Sequence, residues 1–304
     1  MFNNIKRKLI ISFLTLFVLT IVYLFPSEES PKKTTIYKDV NYTNVYLLNK
    51  DLLVETSIVS KATSEDIISN IKDILSSLTV NSEKSKYLDN NFKALIPEGT
   101  RVLDVSLDKG LLKINFSKEI LNIEASLEEK MIESIIYSLT RLDGVEKIMI
   151  FVEGEKLDSL PNSKKALPIE LTKSYGINKV YDVNNIFTMD VLNLYYYINI
   201  DDSYHLVPVS IFTNNSDDKV EVIIEELKSS PIHQSNLMSF LASNATLLDY
   251  EIKENTIKLE FSSYILDNFF SEKLIEEVKY AISASLGDTL GVKEVIFFVN
   301  GEKI

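Results

Sequence analysis

The chain repeats itself, and this constrains its fold more than any other feature of the sequence. Leu53-Val54-Glu55-Thr56-Ser57-Ile58-Val59-Ser60 lies over Leu206-Val207-Pro208-Val209-Ser210-Ile211-Phe212-Thr213 at an offset of 153. The same offset matches Thr63 with Ser216, and Ile67, Ile71 and Ile74 with Val220, Ile224 and Leu227. At an offset of 145, Leu103, Val105 and Leu107 match Leu248, Tyr250 and Ile252, and Phe116-Ser117 matches Phe261-Ser262. At 147, Leu127, Met131, Ile135 and Leu139 match Leu274, Val278, Ile282 and Leu286. Gly144-Val145 then matches Gly291-Val292, and Phe151 to Lys156 matches Phe298 to Lys303. The offset changes fall between periodic segments, where insertions are tolerated. The sequence thus carries two copies of one domain, at 41–157 and 191–304.

Each copy reads strand, strand, helix, strand, strand, helix, strand. Thr63 or Ser64 can cap the first helix, which then shows Ile67, Ile71, Ile74 and Leu78 as one apolar stripe. Its counterpart opens at Ser216, shows Val220, Ile223, Ile224 and Leu227, and stops by Pro231. Leu103, Val105 and Leu107, then Leu112, Ile114 and Phe116, alternate with polar residues as in a hairpin. Its turn, Asp108-Lys109-Gly110, has Asn255 in the place of the glycine in the second copy. Ser126 with Glu129 reads as a capping box. Ile148 to Val152 and Val295 to Val299 are continuously apolar, as in a strand covered on both faces or covered on one by a partner. Pro208 marks its strand as an edge or a bulge. The expected fold class is α+β, two tandem copies of a ββαββαβ sandwich, each a mixed sheet with two helices on one face. The intervening 158–190 reads as a linker. Asp158 to Lys165 looks solvated, and Leu167 to Leu171 is apolar enough to dock on the first domain, its owner among the two copies left open.

Ahead of the copies, Lys6, Arg7 and Lys8 precede an apolar and hydroxyl run from Leu9 to Phe25, closed by Pro26. As a helix, 9–25 spans about 25 Å, a little short of a hydrocarbon core of roughly 30 Å, and the lysine and arginine stems extend it by snorkelling. The positive flank predicts 1–8 as a cytoplasmic tail, 9–25 as a single transmembrane anchor, 26–40 as a polar stalk and the copies outside the membrane. Tyr23, Leu24 and Phe25 are too large for a signal-peptidase site, which favours an uncleaved anchor over a signal peptide. Setting aside Lys6, Arg7 and Lys8, the chain has 29 basic and 44 acidic residues, net −15. A nucleic-acid footprint is excluded as the leading idea. With no cysteine there is no disulfide, thiolate metal site, cysteine nucleophile or lipidated cysteine.

Ala94-Leu95-Ile96-Pro97-Glu98-Gly99-Thr100-Arg101-Val102-Leu103 leads into the hairpin that ends Asn115-Phe116-Ser117-Lys118-Glu119. The helix ending Ser138-Leu139-Thr140 follows, then Gly144-Val145 and Phe151-Val152-Glu153-Gly154-Glu155. This succession resembles the GerM domain of sporulation and spore-germination proteins. The second copy keeps Phe261-Ser262, Gly291-Val292 and Gly301-Glu302-Lys303, but has Ser243-Asn244-Ala245-Thr246 for Pro-Glu-Gly-Thr. The resemblance implies an extracytoplasmic protein of endospore formers, in the intermembrane space during sporulation. Such proteins are usually lipid-anchored, a role the 9–25 helix would take here. The resemblance also implies a fold similar to ring-building domains of envelope-spanning channels, and it brings no catalytic residues.

The residues themselves offer little chemistry. His205 and His233 are the two histidines, each isolated and read as structural. Glu128-Glu129, Glu225-Glu226 and Glu276-Glu277 lie on polar helix faces, and Asp201-Asp202 and Asp217-Asp218 lack calcium-loop spacing. No catalytic, cofactor-binding or metal-binding residue is expected, and the chain is not expected to be an enzyme. The leading reading is a scaffold that self-associates or packs with other sporulation envelope proteins. The alternative is a peptidoglycan-binding or peptidoglycan-processing module using clustered carboxylates or Tyr195, Tyr196 and Tyr197 as a sugar platform.

Overall fold

The computed structural model describes residues 41–60, 66–185, 188–229, 236–266 and 272–304. The expected anchor at 9–25, the stalk, the Thr63 or Ser64 cap, Pro231 and His233 lie outside these. Among the described residues, no helix is long and apolar enough to cross a membrane.

The first copy runs β1 (Asn41–Asn49), β2 (Leu52–Ser60), α1 (Ile67–Leu78), β3 (Val102–Asp108), β4 (Leu111–Phe116), α2 (Glu128–Leu139), β5 (Lys147–Val152) and β6 (Glu155–Lys156). After it come β7 (Val180–Asp182), β8 (Asp190–Ile200), β9 (Ser203–Thr213), α3 (Lys219–Leu227), β10 (Leu247–Lys253), β11 (Thr256–Phe261), α4 (Glu272–Leu290), β12 (Glu294–Val299) and β13 (Glu302–Lys303). Residues 41–304 form one compact unit.

The single mixed sheet expected per copy is instead two sheets. One is the β1-β2 hairpin, or β7-β9-β8 in the second copy, and the other has the order β3-β4-β5-β6 or β10-β11-β12-β13. In both four-stranded sheets the outer pairs are antiparallel and the central pair parallel. The hairpins stand apart because helices occupy their edges. The Tyr46 N–H donates to Ser138 Oγ at 2.9 Å, and Ser134 Oγ donates to the Tyr46 carbonyl at 2.6 Å, so α2 takes the place of a strand beside β1. Likewise Tyr195 N–H donates to Ser285 Oγ of α4 at 3.0 Å.

Alternation sends Tyr196 to the side opposite Tyr195 and Tyr197. The Tyr195 and Tyr197 hydroxyls end on Asp288 and the Glu277 carbonyl of α4, and that of Tyr196 on the Glu226 carbonyl of α3. The helical stripes are core, with Ile71, Ile74, Leu78, Val220, Ile223, Ile224 and Leu227 all buried, each such side chain stabilising by about 1.5–3 kcal/mol. In the four-stranded sheets, Ile148 and Ile150 of β5 are buried while Met149 and Phe151 are half-covered, so one face carries the core. A bulge lies between Val102 and Asp104 and another between Leu247 and Asp249. It turns Leu103 and Leu248 out to 43% and 58% exposure, against the alternation read from the sequence.

The caps differ from expectation. Asp66, not a hydroxyl residue, caps α1 by accepting the Ser69 N–H, and Asp218, not Ser216, caps α3 by accepting those of Val220 and Glu221. The Ser126–Glu129 capping box does not form, and Leu127 precedes α2 with no side-chain cap. At the hairpin turns, Lys109 and Gly110 have φ of 47° and 81°, and in the second copy the positive φ falls on Glu254 at 52°. Pro208 lies in the middle strand β9, but β7 pairs only Ile211 to Thr213. The side of Pro208 that lacks an N–H therefore joins no ladder and faces the seam, where Asn178 bonds its carbonyl.

Five of the eight residues from Asp158 to Lys165 are exposed, but the segment is pinned to the first copy. Leu160 is buried, and the Asn162 and Ser163 N–H groups donate to the two oxygens of the buried Glu128 carboxylate. Leu171 exchanges both backbone bonds with Ile148 of β5 at 2.9 and 2.8 Å, after which β7 joins the second copy's sheet. The segment between the copies therefore belongs to both.

Candidate functional site

The densest arrangement of polar side chains lies where the copies meet, between β2 and β9. These strands share no ladder, and side chains bridge them instead. Asn178 is buried at φ 47°, in the left-handed region that asparagine tolerates. The Leu53 N–H donates to its Oδ1 at 2.9 Å, and its Nδ2 donates to the Leu53 and Pro208 carbonyls, both at 2.8 Å. Its own N–H donates to Glu133 Oε2 of α2 at 3.1 Å. Next along the seam, His205 Nδ1 lies 3.2 Å from the Glu55 carbonyl, which fixes the proton on Nδ1, and its ring packs on Phe92 at 5.2 Å.

A second layer surrounds Glu55, which is 7% exposed. Arg141, just past the end of α2, donates from Nη1 to Glu55 Oε2 at 3.0 Å and to Tyr46 Oη at 2.8 Å, and its Nη2 reaches Tyr280 Oη of α4 at 3.4 Å. A third layer joins Tyr137 Oη, 2.9 Å from both the Lys173 carbonyl and Asn193 Oδ1, to Ser210 Oγ, which donates to Asn193 Oδ1 at 2.6 Å. Lys173 Nζ is 2.5 Å from Asp288 Oδ1, whose other oxygen takes the Tyr195 hydroxyl. In the repeat register Arg141 and Asp288 are equivalent positions, 147 apart, so one skeleton carries opposite charges in its two halves.

Burial sets the ionisation of this region. It pushes the Tyr46 and Tyr195 hydroxyls well above the tyrosine range, which keeps both neutral donors. Burial also raises Glu133 despite Lys179 at 3.3 Å. At Glu128 burial again opposes the charge, but the Ser163 and Asn162 N–H groups outweigh it and hold the carboxyl below its usual range. At Glu129 Lys165 and Lys179, at 2.7 and 3.0 Å, likewise overcome burial. These carboxylates are matched by fixed donors within the protein. The geometry holds segments in place.

The other sequence candidates are dispersed. Glu225 and Glu276 pair with lysines on their own helices, and Asp218 accepts the Tyr250 hydroxyl at 2.6 Å besides capping α3. Asp201 accepts Asn91 Nδ2 at 2.6 Å in the β8–β9 turn. Glu128 is buried, not solvated. Tyr195, Tyr196 and Tyr197 are 3%, 0% and 7% exposed, so they offer no platform for a sugar ring. Among the described residues no three metal-capable side chains gather. The sequence reading missed Asn178, Arg141 and Glu128. Gly176-Ile177-Asn178 did carry a turn signal, since Gly176 has φ 82° and a Cβ there would meet the Phe212 ring at 2.9 Å.

Comparison with known proteins agrees with this architecture. The spore germination protein GerM of Bacillus subtilis (strain 168) is 28% identical over 284 residues, covering 90% of this chain and 76% of that protein. The solved tandem GerMN domains of the sporulation protein GerM from Bacillus subtilis superpose with a TM-score of 0.77 at 27% identity, over 86% of this chain and 92% of that one. A family profile described as Germane, sporulation and spore germination, matches residues 44–158 and 193–304. With both copies matched separately and their tandem arrangement shared, the chain belongs to the Germane family of sporulation and spore germination.

Proposed function

We propose that the chain serves sporulation and spore germination as a non-catalytic scaffold, anchored in the membrane by residues 9–25 and holding two domains outside it. The observation that carries this reading is the seam. Asn178, Tyr137 and the contact of Arg141 with Tyr280 join the copies into one unit, while the exposed Leu248 and Ile252 on β10 point away from the core. A rigid pair with an open, partly apolar edge is suited to packing against another envelope protein or another copy. The family and the 28% identity to a germination protein support the process.

Paired substitution Leu248→Asp and Ile252→Asp tests the scaffold. The full chain in detergent micelles should show assemblies by light scattering, and the variant should be a folded monomer with reduced spore yield in the native host. A variant with unchanged assembly and yield sinks the scaffold reading. Replacing Leu16 and Val18 with lysine should move the chain from the membrane to the soluble fraction, and continued sedimentation with membranes counts against the anchor.

A further inference from the structure

Past the seam, the edge of β2 continues into a groove of about 610 Å³. Its walls include Thr56, Ile58, Tyr87, Leu88 and Phe92, with Ser57 at the strand edge. The backbone geometry of that edge is fixed by its neighbours. Leu53 uses its N–H and C=O on Asn178, and Glu55 its C=O on His205, so both residues point these groups away from β1. Alternation then directs the Ser57 N–H and C=O the same way, because Asn44↔Ser57 has the parity of Tyr46↔Glu55 and Leu48↔Leu53. Ser57 is exposed, and neither backbone group has a partner among the described residues.

We propose that this groove takes an extended peptide from a partner protein, added to β2 as a strand. Continuity with the seam identifies the occupant: β9 runs beside β2 as far as Glu55 through Asn178 and His205, and among the described residues nothing covers the same edge beyond it. An incoming strand finds the Ser57 N–H and C=O for its backbone and the Ile58, Leu88 and Phe92 surface for every second side chain. Ile58 and Phe92 are buried in the wall, while Tyr87 stands 87% exposed at the rim, where it can close over a bound chain. The peptide is therefore one with an apolar residue at alternate positions. This inference goes beyond the scaffold reading, and its failure leaves the β10 edge untouched.

The chain itself suggests the test. Pro208 shows that β9 accepts proline where the N–H would point away from its partner, so Ser57→Pro deletes the outward donor without touching the β1–β2 ladder. A phage-displayed library of random octapeptides is selected on the immobilised full chain in detergent, and the recovered peptides are synthesised. They should alternate apolar and polar residues, slow exchange of the Ser57 amide at least tenfold, and bind at least tenfold more weakly to Ser57→Pro and to Tyr87→Asp. Tyr181→Asp, at an exposed tyrosine elsewhere, should bind as the parent does. The proposal is overturned by failure to enrich any peptide, or by peptides indifferent to both groove variants. Retention on purified peptidoglycan that Tyr87→Asp abolishes and Ser57→Pro spares would assign the groove to sugar and overturn it equally.

Discussion

Tyr46 and Tyr195 hold the same place in the two copies, and each gives its backbone N–H to a serine of the second helix, Ser138 at 2.9 Å and Ser285 at 3.0 Å. The serines are themselves equivalent, 147 residues apart. Replacing either by alanine strands a buried N–H, which costs about 1–3 kcal/mol. Ser138→Ala and Ser285→Ala should therefore destabilise by similar amounts in urea unfolding. A neutral result at one site would show that helix and strand separate there.

Arg141→Met leaves the Glu55 carboxylate buried without its cation. Breaking a fully buried pair costs about 3–5 kcal/mol, and partial exposure of Arg141 at 27% reduces this to about 2–3 kcal/mol. Arg141→Lys should recover less than half, because one ammonium does not reproduce the guanidinium fork to Glu55, Tyr46 and Tyr280. Urea midpoints of the two variants check both statements.

Asn178→Ala removes three hydrogen bonds across the seam and places alanine at positive φ. The cost should be about 2–4 kcal/mol. Hydrogen exchange should speed up most at the Leu53 amide, which loses its acceptor. Asn178→Gly separates the two effects, because it relieves the backbone while still deleting the bridge.

Glu128 and Glu133 lie on one helix with opposite ionisation. Glu133 is raised by burial, so the folded protein holds its proton more tightly than the unfolded chain. Its contribution is complete below the unfolded carboxyl range and is lost as pH rises through the folded value. Glu128 is lowered, so its contribution is present above the unfolded range and is lost as pH falls through the folded value. Glu133→Gln should flatten the decline in stability on the alkaline side of the carboxyl range, and Glu128→Gln the decline on the acid side. Chemical denaturation across pH 3 to 8, a span set about the ordinary carboxyl range, reads both slopes.

Periodicity made the local elements legible. Ile71, Ile74 and Leu78 announce α1, Leu112, Ile114 and Phe116 announce β4, and the repeat aligns Leu53 with Leu206 on strands that meet at the seam. Caps were harder, since Asp66 and Ser64, or Asp218 and Ser216, compete within a single turn and only the path of the chain decides. The split of each sheet depends on Ser134 and Ser138 reaching a strand about ninety residues earlier, and periodicity contains no such distance. Glu128 reads as a surface charge because nothing in the sequence shows that the Asn162 and Ser163 N–H groups of an exposed segment fold back onto it. Arg141 and Glu55 are separated by 86 residues and identify each other only once the first copy has folded.

The opposite charges at Arg141 and Asp288 give the tandem a head and a tail. Two first domains placed face to face would set arginine where the second domain supplies aspartate to Lys173. Joining the halves on one polypeptide makes their local concentration independent of how many molecules a cell contains. The pair can remain closed even when the protein is scarce.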